Sequence, residues 1–149
     1  MNGAPALSVA SLCTAAKVRR LSRRVSQIYD EALGPHGLTV GQYGLLACLS
    51  RRRGAAIGAL ATLLAADAST VSRLVKPLAA AGLILIRSAP DDRRSKLVWL
   101  SDDGHRRRSA AQTGWQAAQD RMAAALGDGR LAALRFMLDD AHERLEDSE

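Results

Sequence analysis

The first predicted element is a long amphipathic helix near the amino terminus. Between Leu7 and Leu33 most apolar residues recur at spacings of three and four, which is the period of one helix face. The segment Gly34–Gly37 then ends the helix, because its glycines and Pro35 continue a helix poorly. The apolar stripe comprises Leu12, Val18, Leu21, Val25, Ile28 and Ala32, and the polar sides carry Arg19, Arg20, Arg23 and Arg24.

Two shorter helices are predicted next. Thr39 and Gln42 have the spacing of a capping box, in which each side chain accepts the other residue's backbone N–H, so a second helix begins after Thr39. It ends near Arg51, and residues 51–54 form a turn. The apolar residues Ile57, Leu60, Leu63 and Leu64 then predict a third helix that ends near Ala66.

A fourth helix with two different faces is predicted between Asp67 and Gly82. Asp67 or Ser69 can cap its beginning, and glycine is the residue that most often follows the end of a helix. The face towards the core is apolar, whereas the outer face is small, polar and cationic. The apolar face consists of Val71, Leu74, Val75 and Leu78, and the outer face of Ser69, Thr70, Ser72, Arg73 and Lys76.

A basic hairpin follows this helix. Two strands are predicted at Leu83–Arg87 and Lys96–Leu100, and the charged tip between them contains Arg93 and Arg94. Two short helices joined by a tight turn describe a helix-turn-helix, to which the hairpin adds a wing. Such a helix fits the DNA major groove, and a hairpin arginine fits the electronegative minor groove. The alternative is a small domain whose charges only face water.

Two more helices complete the chain. Ser101 is a strong helix cap and is followed by two acids, so a long helix is predicted from Asp102 to Leu126, although Gly104 and Gly114 weaken it. Residues 127–129 break the helix. The last helix has an apolar seam with spacings of three and four, which is typical of packing against another helix. The seam consists of Leu131, Leu134, Leu138, Ala141 and Leu145.

Composition and charge narrow the possible partners. The 149 residues fit a single domain, and 48% apolar residues with only 3% aromatics favour a helical core of Leu, Ala, Val and Ile. The net charge is +6, but residues 139–149 carry −5, which leaves +11 on the other 138 residues. This favours a polyanionic partner. Basic runs lie at Lys17–Arg24, Arg51–Arg53 and Arg106–Arg108. The alternative for each run is a solvated helix face or loop, and for Arg51–Arg53 this alternative has the same weight as DNA contact.

Other classes of function find little support in the sequence. Cys13 and Cys48 form neither a disulfide framework nor a metal site, and no cofactor is expected. His36, His105 and His142 are scattered, so an enzyme is not expected. The chain has no signal-peptide pattern and no segment long enough to span a bilayer, so a cytoplasmic protein without a membrane partner is expected.

Over nearly its whole length the chain resembles the MarR family of bacterial transcription regulators. The resemblance is strongest in DASTVSRLVKPLAAAGLILIRSAPDDRRSKLVWLSDDG, which is similar to the family's recognition helix, wing and exit from the wing, and LTVGQYGLLACL resembles its second helix. It implies a mainly α (α+β) fold and one domain, in which residues 7–33 and 102–147 form a helical dimerisation region and residues 39–101 the winged unit. It further implies a homodimer on a pseudo-palindromic double-stranded operator, with recognition helices about 34 Å apart.

The resemblance also assigns the DNA contacts. It implies that the outer residues of the recognition helix bind bases and phosphates, with Lys76 on a phosphate. The D-x-R pattern of the wing falls on Asp92 and Arg94, so Arg94 is expected in the minor groove, with Arg93 as the second candidate. Asp92 either orients the arginine through a salt bridge or only forms the turn. The residues assigned to bases and phosphates are Ser69, Thr70, Ser72 and Arg73.

The resemblance further implies a repressor that releases DNA when a small molecule, often phenolic or aromatic, binds near the dimerisation helices. Residues expected to line that pocket, or else to be core and interface positions, are Leu12, Cys13, Ala16, Tyr43, Leu46 and Trp115. One branch of the family senses peroxide through a cysteine in the first helix, so Cys13 is either such a thiol or an unreactive one. A winged protein-interaction module without DNA binding is the other alternative.

Overall fold

The computed structural model of the protein describes residues 12–148, which form six helices, one 3₁₀ turn and a small sheet. The helical content and the wing-like sheet confirm the mainly α winged fold. The elements are α1 (Thr14–Leu33), the 3₁₀ turn (Gly34–His36), α2 (Val40–Cys48), β1 (Ala55–Ala56), α3 (Ile57–Leu63), α4 (Ala68–Ala80), β2 (Ile84–Ser88), β3 (Lys96–Leu100), α5 (Asp102–Leu126) and α6 (Asp128–Glu146).

The helical structure at the amino-terminal side is interrupted at Cys13, because Leu12 is helical and α1 begins at Thr14. Cys13 has an extended backbone, with φ −74° and ψ 114°, and is the cap residue before Thr14. A helix that continues from Leu7 to Leu33 is therefore wrong at Cys13, and residues 7–11 lie outside the described residues. The apolar periodicity could not show this break, because the spacing of side chains continues unchanged through it.

The local capping signals are confirmed. At the start of α2, the Thr39 hydroxyl accepts the backbone N–H of Gln42 at 3.3 Å, and the Gln42 side chain accepts that of Thr39 at 3.0 Å. Asp30 of α1 also accepts the N–H of Val40 at 2.7 Å, so the beginning of α2 is fixed to α1. Ser101 caps α5 by accepting the N–H of Gly104 at 2.9 Å.

The sheet contains a strand that the sequence pattern does not predict. β1 pairs with β3 antiparallel, so the strand order is β1-β3-β2, and Ala55 lies opposite Val98. Two residues are too few to show alternation, which explains why the strand is missed. Gly54 precedes it, and a Cβ there would lie 2.5 Å from the ring of Trp99. The bounds of β3 agree with the prediction, whereas β2 is shifted by one residue.

Two hydrophobic clusters hold the fold. The larger lies under the winged unit and includes the fully buried Leu33, Leu45, Leu60 and Val71. The smaller joins α1, α5 and α6 through Ile28, Ala118, Met122 and Leu131. The winged unit and the terminal helices thus have separate cores, and α5 contributes to both.

Two glycines of α5 have a structural role that the sequence does not suggest. A Cβ on Gly104 would overlap the carbonyl oxygen of Leu83, and a Cβ on Gly114 would lie 2.5 Å from that of Ala32. Both glycines are buried. Although glycine lowers helix propensity, it allows α5 to approach the wing on one side and α1 on the other.

We expect Gly114→Ala to lower the free energy of unfolding by about 1–3 kcal/mol, because the added methyl group must displace the backbone of α1. Gly129→Ala in α6 is the matched control, because no atom lies within 4 Å of its Cβ position. Alanine there should be neutral or stabilising by up to about 1 kcal/mol. Urea denaturation of both variants tests this, and equal stabilities would show that α1 and α5 have room to separate.

Candidate DNA-binding interface

The beginning of α4 is fixed by one aspartate. Asp67 accepts the Ser69 hydroxyl and the backbone N–H of Thr70, both at 2.7 Å. These hydrogen bonds stabilise the ionised carboxylate and lower the pKa of Asp67 to about 2, with a smaller contribution from the charge of Arg73. The cap therefore stays charged at every physiological pH. It also fixes the two residues that open the outer face of the helix.

The outer face of α4 is as the sequence predicts. Val71, Val75 and Leu78 are buried, whereas Ser69, Ser72, Arg73 and Lys76 are exposed and Thr70 is half-buried. The guanidinium of Arg73 lies 3.4 Å from the Thr70 hydroxyl, to which it donates. The side chains suited to binding bases and phosphates thus share one solvent-facing side of a single helix.

The turn between α3 and α4 is strained at Ala65. Its φ is 47°, a left-handed conformation that a residue with a Cβ adopts at a cost of about 1–2 kcal/mol. The turn is closed by the N–H of Ala66, which donates to the carbonyl of Ala61 at 2.9 Å. Packing of α3 against α4 therefore fixes the turn and sets the direction in which α4 projects.

The structure corrects the predicted role of Asp92 in the wing. Its carboxylate accepts the backbone N–H of Arg94 at 2.9 Å and the Ser95 hydroxyl at 2.8 Å. These bonds lower the pKa of Asp92. The predicted salt bridge to a wing arginine is not formed, and the alternative of a turn-forming aspartate is the right one. The side chains of Arg93 and Arg94 are exposed at the tip.

The side chains of the basic run Arg106–Arg108 form contacts within the protein, whereas the sequence analysis predicts either DNA contact or a solvated helix face. Arg108 is half-buried and donates to the carbonyls of Leu46 and Leu49, at 2.9 and 3.1 Å, at the end of α2. Arg107 donates to the carbonyl of His36 at 3.2 Å, and Arg106 pairs with Asp103. Arg107 therefore joins α5 to the 3₁₀ turn and Arg108 joins it to the end of α2, whereas Arg106 pairs within α5.

The neighbouring basic turn is partly neutralised in a similar way. Arg51 pairs with Asp102 at 3.0 Å, whereas Arg52 and Arg53 are exposed on the same turn. The partners of Arg51 and Arg108 are 51 or more residues away along the chain. No local sequence signal could therefore have found these contacts.

The residues predicted to line an effector pocket fall into two groups. Leu46 is fully buried in the larger cluster, and Tyr43 and Trp115 pack half-buried against it. Leu12 is 73% exposed, and Cys13 and Ala16 are partly exposed near the beginning of α1. Leu46 therefore fits the alternative of a core position. Cys48 also packs against this cluster, and burial raises the pKa of its thiol.

Between residues 12 and 148, no group of three or more His, Cys, Asp or Glu side chains could hold a metal ion. None of the helices in the described part of the chain is long and apolar enough to cross a membrane.

A winged helix-turn-helix, with a polar cationic face on α4 and two arginines on the wing, defines the class of the protein. The MarR family model matches residues 38–96, from just before α2 to the beginning of β3. Solved structures of similar fold include regulators of that family. The resemblance to the MarR family is therefore confirmed, with the family model covering the winged unit.

Three solved structures illustrate the similarity. The repressor CouR bound to a 23-mer DNA duplex is 25% identical, with a TM-score of 0.77 over 91% of this chain and 96% of its own. A MarR-family regulator from Rhodococcus sp. RHA1 is 27% identical, with a TM-score of 0.70 over 85% and 90%. The M. tuberculosis regulator MOSR in complex with DNA is 28% identical, with a TM-score of 0.74 over 89% and 98%. No curated protein matches the chain.

We predict that the Asp67 cap stabilises the fold least in strong acid. Its pKa is about 2 in the folded protein but ordinarily about 3.8, so the stabilisation is present above about pH 4 and is lost as the pH falls through about 2. Asp67→Asn can still accept the capping hydrogen bonds but has no charge to lose. The unfolding free energy should therefore fall more steeply between pH 4 and 2 in wild type than in Asp67→Asn. Parallel pH profiles would contradict the predicted linkage.

Proposed function

We propose that the protein is a sequence-specific, DNA-binding transcriptional regulator that acts as a homodimer in the cytoplasm. The observation that carries the proposal is the outer face of α4, which presents hydroxyl and cationic side chains beside a wing with two exposed arginines. This surface lies within the part of the chain that the MarR model matches. CouR and MOSR, which share the fold, have been solved with DNA.

Each part of this surface has a proposed role. Ser69, Thr70, Ser72 and Arg73 enter the major groove and contact bases and phosphates, and Lys76 contacts a phosphate. Arg94 enters the minor groove, with Arg93 beside it. Asp92 contributes by shaping the tip, because its carboxylate holds the Arg94 backbone and the Ser95 side chain. The role of the wing thus depends on a turn and not on an ion pair.

The terminal helices supply the proposed dimer contacts. Phe136, Met137 and Leu145 of α6 are 58–70% exposed, which is costly for large apolar side chains unless another surface covers them. We propose that residues 7–33 and 102–147 form the dimerisation region and that residues 39–101 read the DNA. Two-fold symmetry then places the recognition helices about 34 Å apart on a pseudo-palindromic operator.

The proposed regulation is repression that a small molecule relieves. CouR is a transcriptional repressor whose structure has been solved with a DNA duplex and with p-coumaroyl-CoA. In the p-coumaroyl-CoA complex its sequence is 27% identical to this chain, with a TM-score of 0.68. Fold and identity at this level support a ligand-responsive repressor here. The proposed activity is binding and not catalysis, as is general for regulators of this family.

Oxidation of Cys13 is the alternative route of regulation. The thiol is partly exposed at the amino-terminal end of α1, which leaves it open to an oxidant. Release of the operator by peroxide in wild type but not in Cys13→Ser would support this alternative. Release by a small acid in both proteins would leave Cys13 as a packing residue.

We expect Arg94→Ala to weaken binding to every DNA sequence by a similar factor, because a minor-groove and backbone contact does not read the major-groove pattern. The slope of log affinity against log salt should fall by about 1 for each phosphate that the variant no longer neutralises. Gel-shift titrations at several salt concentrations measure both effects. Arg106→Ala is the control, since Arg106 pairs with Asp103. An unchanged slope would remove Arg94 from the interface, and weak, salt-independent binding by wild type would favour a protein-interaction module.

We expect Thr70→Ala to change the ranking of operator variants, because the Thr70 hydroxyl lies on the reading face and contacts Arg73. The backbone N–H of Thr70 still binds Asp67 in the variant, so the helix cap is kept. The measurement is a gel-shift competition among operators that differ at single base pairs, where each mismatched base pair costs about 1–3 kcal/mol. An equal reduction of affinity on all operators would make Thr70 a backbone contact.

A further inference from the structure

A small cationic cavity lies where the turn before β1 meets the base of α5. It encloses about 290 Å³ and is lined by the end of α2, the turn that follows it, the end of β3 and the first turns of α5. Two of the lining residues, Leu49 and Leu100, are buried and apolar, and each of the others can donate hydrogen bonds. The residues with donors are Ser50, Arg51, Arg52, His105 and Arg108.

The cavity has a net positive charge. Asp102 pairs with Arg51 at 3.0 Å. In the described part of the chain, no carboxylate lies within 4.0 Å of the guanidinium of Arg52 or Arg108. Three guanidinium groups and one carboxylate therefore give a net charge of +2 when the histidine is neutral. Because Arg108 is half-buried, water and salt screen its charge less than that of an exposed arginine.

Arg108 also fixes the position of the proton on His105. The Arg108 guanidinium lies 3.3 Å from Nδ1 of His105, and a guanidinium has donors but no acceptor. Nδ1 must therefore accept, so the neutral ring carries its proton on Nε2 and has an N–H donor there. The histidine is half-buried and lines the cavity, so it adds a fixed donor to those of the arginines.

The backbone oxygens at this end of α2 are already bonded. The carbonyls of Leu46 and Leu49 accept from Arg108, and the carbonyl of Ser50 accepts the N–H of Leu100 at 3.0 Å. The Ser50 hydroxyl accepts the N–H of Arg52 at 3.1 Å, and its own proton can still be donated. A cavity with spare donors and occupied acceptors is complementary to an anion.

We propose that this cavity binds the phosphate dianion of a small molecule. A phosphate monoester carries a charge of about −1.5 to −2 at neutral pH, which matches the net charge of the cavity, whereas one carboxylate would neutralise only half of it. Arginine suits this anion, because its planar guanidinium can bind two phosphate oxygens at once. The bound group would connect Arg52 in the turn to His105 in α5. This inference goes beyond the proposed function, because it requires neither DNA nor a second copy of the chain.

The position of the cavity argues against a phosphate of the DNA backbone as its occupant. Ser50 bonds to Leu100 at the end of β3, whereas the wing tip with Arg94 comes before Lys96, where β3 begins. The two ends of β3 are about 13 Å apart at the rise of a strand. The cavity and the wing arginines therefore lie at opposite ends of this strand. A backbone phosphate is also a diester with a single negative charge.

The test is calorimetric titration, at constant ionic strength and about pH 8, with methyl phosphate, which is then a dianion, and with dimethyl phosphate, a monoanion. Wild type should bind the monoester about tenfold more tightly than the diester. Arg52→Gln should lower the affinity for methyl phosphate by about tenfold, because a charged hydrogen bond is removed. Arg53→Gln is the matched control and should leave it unchanged, since Arg53 is exposed on the same turn but does not line the cavity.

The histidine provides a second readout that needs no variant. Long-range ¹H–¹⁵N spectra of the histidine side chains should show His105 with its proton on Nε2, and methyl phosphate should shift its ring resonances. His142 is the internal control, because its ring lies 3.4 Å from Glu146 on α6 and does not line the cavity.

Several results would overturn the proposal. These are equal affinity for the monoester and the diester, equal monoester affinity in wild type and Arg52→Gln, or unchanged His105 resonances. A similar loss of affinity in Arg53→Gln would show only general attraction to a basic turn. If Arg52→Gln instead lowers the slope of log DNA affinity against log salt by about 1, and wild type binds no monoester, the turn contacts the DNA backbone. Gel shifts without phosphate test DNA binding separately, so failure of this inference is distinguishable from failure of the proposed function.

Discussion

Ser101 connects the winged unit to the terminal helices at the beginning of α5, and we call this connection the joint. Its backbone N–H donates to the carbonyl of Leu83 at 3.1 Å, and its hydroxyl donates to that of Gly82 at 2.6 Å. The same hydroxyl accepts the N–H of Gly104 and so begins α5. One side chain therefore ends the wing, starts the longest helix and ties both to the turn after α4. Gly104 makes this close approach possible, because any larger residue would overlap Leu83.

Arg108 completes the joint from the other side. The last carbonyl groups of a helix lack some of their hydrogen-bond partners, and at the end of α2 the carbonyls of Leu46 and Leu49 accept from one guanidinium. The positive side chain also complements the negative end of the helix dipole. Since α2 packs under α4 in the larger cluster, this contact helps to set how the recognition helix is presented. Arg108 belongs to a basic run that the sequence suggests for DNA binding. In the structure it instead supports α4 indirectly, through its contact with α2.

The features that the sequence predicts well are local ones. The caps at Thr39, Asp67 and Ser101 depend on residues three positions apart, and the fold class follows from apolar periodicity. The features it misses depend on distant partners. The carbonyls that receive Arg108 are about 60 residues away along the chain, and the aspartate that pairs with Arg51 is 51 residues away. The break at Cys13 is local, but it leaves the spacing of the apolar residues unchanged.

The length of α5 determines how far a rotation at its base would move its other end. Its 25 residues make a rod about 37 Å long, with the winged unit fixed at one end and α6 folded back from the other. Because Ser101, Arg107 and Arg108 bond the base of α5 to neighbouring elements, we expect the winged unit to turn with the rod. A tilt of about 5° at the far end would move the rod there by roughly 3 Å, at the helix rise of 1.5 Å per residue. In the proposed two-fold assembly, we expect small changes among the terminal helices to be transmitted along this rod and to alter the spacing of the two winged units.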